Sequence, residues 1–85
     1  MNLQNLEHSA KGYLILANNI LIEAVENNSF NQNEKRYYEA IGGFRGIMNI
    51  ILSENIDWYF ALLLQCSDYL DMHEELIELL KEGDQ

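Results

Sequence analysis

The chain contains no proline and only one cysteine, Cys66. One cysteine excludes an internal disulfide and a cysteine-based zinc site, and it fits a reducing compartment. Long apolar runs are missing too. The longest extends from Trp58 to Leu64, far short of the roughly 18–20 residues that cross a bilayer, so no transmembrane helix is predicted. The first residues show neither a basic leader nor a small-residue cleavage site after an apolar stretch, and the expected compartment is the cytoplasm.

Positive charge is scarce: Lys and Arg number 5 against 14 Asp and Glu, for a net charge of −9. Residues 1–43 hold 3 basic and 5 acidic side chains, net −2, while residues 44–85 hold 2 basic and 9 acidic, net −7. A field of that sign repels phosphate backbones and anionic membrane surfaces, which argues against direct binding of DNA, RNA or lipid. Basic protein surfaces remain as partners.

What is present points to a folded domain, for 48% of residues are hydrophobic and 22% charged. A single domain of 85 residues buries only roughly 60% of the surface it exposes unfolded, so a homodimer is admitted from the outset. Apolar residues recur at helical spacing and do not alternate, so the chain reads as all-α. The expected architecture is a small antiparallel three-helix bundle, or a helical hairpin plus one helix.

The first predicted helix covers about residues 3–27, with Leu3, Leu6, Ala10, Tyr13, Ala17, Ile20 and Ala24 inward and Leu14, Leu21 and Val25 widening that face. Residues 27–33 are rich in asparagine and read as a connection, with Asn31 or Asn33 as the next cap. The second helix is predicted over about 33–53, burying Tyr37, Ala40, Ile41, Phe44, Ile47, Met48 and Ile51. A break over Ser53–Asn55 leads to a third helix over about 56–82, which buries Trp58, Leu62, Cys66, Tyr69, His73, Leu76, Ile77 and Leu80 and stops at Gly83.

On that third helix Asp68, Asp71, Glu75, Glu78 and Glu82 fall at steps of 3, 4, 3 and 4 residues, which places them on one continuous seam. Like charges at this spacing cost roughly 0.2–0.5 kcal/mol per pair, and carboxylates near a helix C-terminus oppose the macrodipole. The rise is roughly 5 Å per carboxylate, on the scale of phosphate spacing along one nucleic-acid strand, so the seam can imitate a backbone. The competing account is a solvated face that keeps a small protein soluble.

Apolar residues are also left over outside the core faces: Ile15 and Ile22 on the first helix, Gly42, Gly46 and Ile50 on the second, Ile56, Phe60 and Leu64 on the third. Ile15, Ile22, Gly42, Gly46 and Ile50 are candidates for an oligomer interface, and close backbone approach is expected on the Gly42/Gly46 side. Ile56, Phe60 and Leu64 form an apolar tip beside the seam. The run Gly42-Gly43-Phe44-Arg45-Gly46 lacks both the dinucleotide fingerprint and the Lys-Ser/Thr ending of a phosphate loop.

Catalytic chemistry finds no foothold. Cys66 and His73 stand seven residues apart on one helix, roughly 10 Å, beyond hydrogen-bond reach. His73 reads as a hydrogen-bonded core histidine and Cys66 as a small buried apolar side chain. The di-iron spacing Glu-x-x-His fails because Leu70 occupies the carboxylate position. Neither a cofactor nor a metal is expected.

The expected function is therefore non-enzymatic. The seam would attract a basic, nucleic-acid-binding protein such as a nuclease or an RNA-guided defence effector, Ile56, Phe60 and Leu64 would anchor it, and the outcome would be inhibition. By size and charge alone, the chain is of the type of small acidic inhibitors encoded by phages and mobile elements. The alternative is a homo-oligomeric structural or regulatory module whose acidic face only confers solubility.

Overall fold

Asparagine punctuates this chain where proline does not. The computed structural model describes residues 2–83 as four helices: α1 (Leu3–Asn27), α2 (Phe30–Glu54), α3 (Ile56–Gln65) and α4 (Ser67–Gly83). No strand occurs among the described residues. Asn2 caps α1 by accepting the Gln4 N–H at 2.9 Å. Asn28 ends α1 in the left-handed region (φ 51°, ψ 46°), which asparagine tolerates better than most side chains. Asn55 is extended and serves two helices, closing α2 and accepting the Trp58 N–H on Oδ1 at 3.0 Å to start α3.

The all-α fold agrees with the sequence pattern, and the first helix has the expected bounds. Two boundaries differ. The second helix begins at Phe30 rather than near residue 33, because Phe30 packs edge-on against Tyr37 at 5.9 Å and gains from entering the helix. Asn33 is not a cap but an interior residue whose Nδ2 donates to the Ser29 carbonyl at 3.2 Å. The predicted third helix is split at Cys66 (φ −92°, ψ 3°) into α3 and α4. Gly83 is still helical, so the expected stop lies at the edge of the described residues.

The split follows from what each half packs on. α1 and α2 form a long antiparallel hairpin, and α3 lies mainly on α2 while α4 lies mainly on α1. One straight helix cannot follow both partners equally, and Cys66, buried in the core, is where the allegiance changes. The Cys66 N–H still reaches the Leu62 carbonyl and the Leu70 N–H reaches the Cys66 carbonyl, both at 2.9 Å. Helical register thus carries approximately across the break.

The core consists of Ala10, Leu14, Ala17, Ile20, Leu21 and Ala24 from α1, Tyr37, Ala40, Ile41, Phe44, Met48 and Ile51 from α2, and Leu62, Cys66 and Leu76 beyond. Tyr13 and Tyr69, expected inside, are 40% and 43% exposed, since each rides the edge of its helix's buried face. Three polar contacts pin α3 and α4 to the hairpin. Asn18 Nδ2 donates to the Tyr69 carbonyl at 2.9 Å, the Tyr37 hydroxyl and His73 Nε2 lie 2.7 Å apart, and Trp58 Nε1 donates to Glu7 Oε2 at 3.0 Å.

The molecule measures 42 × 21 × 15 Å, and the short dimension is about the depth of two packed helices. In a slab of that thickness every helix keeps one face toward solvent. That geometry decides which of the leftover apolar residues remain outside.

Candidate partner-binding surface

All five seam residues, Asp68, Asp71, Glu75, Glu78 and Glu82, lie on α4 and are exposed. At roughly 100° per residue they stand opposite the inward residues His73, Leu76, Ile77 and Leu80. Lys81, the one cation of α4, pairs with Glu78 at 3.6 Å between side chains about two-thirds exposed, a contact worth little. The break at Cys66 changes the electrostatics at one end. It turns Asp68 into a first-turn residue, where the helix dipole favours a carboxylate instead of opposing it.

Two apolar residues on this face were missed from the sequence. Met72 and Leu79 are 41% and 49% exposed, and Asp71, Glu74, Glu75, Glu78 and Glu82 rim a shallow open depression of about 610 Å³ around Leu79. Their signal was legible: the spacing 72, 75, 79, 82 interleaves them with the carboxylates. The face is therefore acidic with apolar inserts and not uniformly charged.

On α3, Ile56, Phe60 and Leu64 are 56%, 55% and 77% exposed, and Leu62 is the only buried residue of that helix. Phe60 is supported from the side by Tyr59, ring centroids 5.4 Å apart at 72°. Ile56, Phe60 and Leu64 continue into Asp68, Asp71, Glu75, Glu78 and Glu82 at steps of three and four, and all eight are exposed. With register carried approximately across Cys66, they form one ridge interrupted at that break, apolar on α3 and acidic on α4.

The other candidate residues do not join this ridge. Ile15 and Ile50 are exposed, whereas Ile22 is half-buried against the core. Gly42 and Gly46 face away from the Tyr37, Ile41, Phe44 and Met48 line, and a methyl group on either would meet nothing within 4 Å. Within the chain the close approach is at Gly43, where a methyl would sit 3.1 Å from the Tyr13 ring. Helix phase explains the difference: Gly43 points to α1, while Gly42 and Gly46 point outward.

Three titratable side chains of the interior are shifted by burial. Burial pushes the Cys66 thiol up, so it stays protonated as a small apolar group. Burial also pushes His73 down, aided by the field of Arg45 and opposed by Glu74, which favours the neutral imidazole beside the Tyr37 hydroxyl. Tyr37 is raised by the same burial. Arg45 makes no ion pair among the described residues. No group of three His, Cys, Asp or Glu side chains among them is arranged to hold a metal, and none of the helices is long and apolar enough to cross a membrane. No family model, no curated protein and no solved structure matches the chain.

Proposed function

We propose that this protein is a cytoplasmic, non-enzymatic binder of a basic protein, and that it inhibits a nucleic-acid-binding partner by occupying the groove meant for the nucleic acid. The observation that supports this reading is the ridge of α3 and α4. Its carboxylates are exposed, barely neutralised by Lys81, and spaced roughly 5 Å apart on a convex rod. Charge of this kind sets orientation and on-rate. Ile56, Phe60 and Leu64 supply the desolvated contact that holds the complex, as anchors at the centre of interfaces do. A phage or mobile-element origin belongs to the same reading.

The experiment is affinity capture at low and high salt with mass spectrometry, followed by competition against nucleic acid for the captured protein. Asp71→Lys, Glu75→Lys and Glu78→Lys together should abolish capture while leaving helicity intact. Unchanged capture by that variant, or a captured protein that still binds nucleic acid freely, refutes the reading. A second reading, a homo-oligomeric helical module, draws on the exposure of α3 and on the thinness of the slab.

A further inference from the structure

α4 is the most loosely seated helix that reaches the core. Among the described residues it buries one hydrophobic side chain, Leu76, against six from each of α1 and α2. Its docking encloses the Asn18 amide, which is 2% exposed: Nδ2 bonds the Tyr69 carbonyl, while Oδ1 has no partner among the described residues. A desolvated acceptor without a bond opposes the docked state, and water satisfies it on release. At the other end of α4 a cleft of about 240 Å³ stays open between Leu79 and Leu80 and the α1–α2 turn at Val25, Asn28 and Phe30.

The helix is also loaded from its outer side. Carboxylates three and four residues apart repel each other more on a helix than in extended chain, where the same steps lie roughly 10–14 Å apart. Once undocked, a segment of 17 residues with this charge is too short and too acidic to remain helical. We infer that α4 is a hinged strap, which leaves the hairpin at Cys66 and unfolds while α1 and α2 keep their structure, and which neutralisation of the seam drives back into place. Because the helix ends and restarts at Cys66, α4 leaves without taking α3, which Asn55 caps and the Trp58–Glu7 bond ties to α1. The inference requires no partner, and a basic protein on the seam acts in the same direction as salt.

Native-state hydrogen exchange of the full chain reads this opening residue by residue. Protection of the His73, Leu76 and Ile77 amides should fall about tenfold or more below that of Leu14, Leu21 and Ile41, with a shallower urea dependence, because only the contacts of α4 are lost. Salt should narrow that gap, and so should Glu75→Gln combined with Glu82→Gln at low salt, since both residues are exposed. Tyr37→Phe should widen it by removing the hydroxyl that lies 2.7 Å from His73 Nε2. Equal protection and equal urea slopes in the two sets, or a Tyr37→Phe variant that lowers both sets alike, overturn the release of α4. A gap that neither salt nor the double variant changes overturns its control by the seam.

Discussion

Replacing Gly42 and Gly46 by alanine should stabilise this protein. Both lie inside α2 and are exposed, neither has positive φ, and a methyl on either meets nothing within 4 Å. Glycine in a helix interior costs roughly 0.5–1 kcal/mol relative to alanine through the backbone freedom it gives up. With no steric penalty to offset that gain, the pair should add about 1–2 kcal/mol. In a domain this small, 1 kcal/mol moves the melting temperature by about 4–8 °C, so the double variant should melt about 4–16 °C higher. Gly43→Ala should gain less, since its methyl lands 3.1 Å from three atoms of the Tyr13 ring and that ring must swing outward. In a Tyr13→Ala background Gly43→Ala should recover the full benefit of about 0.5–1 kcal/mol. Thermal melts followed by circular dichroism settle the order. A double variant less stable than wild type, or a Gly43→Ala gain matching the gains at 42 and 46, refutes the packing described for α2.

Two further outcomes test the polar pins. Asn18 is 2% exposed and its Oδ1 has no partner among the described residues; Asn18→Leu should therefore lie within about 1 kcal/mol of wild type. Asn18→Asp should lose roughly 3 kcal/mol, more at pH 8 than at pH 4, because it buries an uncompensated charge. A large loss in Asn18→Leu would show that the Tyr69 carbonyl depends on the amide. His73 titrates below its ordinary value because of burial, so the unfolded chain takes up that proton first as pH falls below about 6.5. Stability from the neutral ring is then complete above that pH and is lost on acidification through the folded pKa. The urea midpoint advantage of wild type over His73→Gln should shrink from pH 7.5 to pH 5.5, and a constant advantage contradicts the neutral assignment.

Most of the interior was legible because its signal is local. Steps of three and four along the first two helices named Ala10, Leu14, Ala17, Leu21, Tyr37, Ile41, Phe44 and Met48, and these are buried. Asn18 escaped, since a single amide in a helical pattern reads as solvent-facing until the Tyr69 carbonyl is placed beside it. Met72 and Leu79 are masked in the sequence by the carboxylates that surround them on the same face of α4. Within the chain the close approach falls at Gly43 while Gly42 and Gly46 stay open, because a glycine's spacing does not say which side of its helix meets a neighbour.

Helical class, the acidic seam and the inward faces of α1 and α2 were determined by the sequence itself, because each depends on periodicity within one segment. The division of the last helix at Cys66 was decided by tertiary structure: α3 follows α2, α4 follows α1, and only packing on two partners creates that demand. Packing also decided which apolar residues stay outside. A slab two helices deep has no place left to bury Ile56, Phe60 and Leu64, and it sets them in line with the seam.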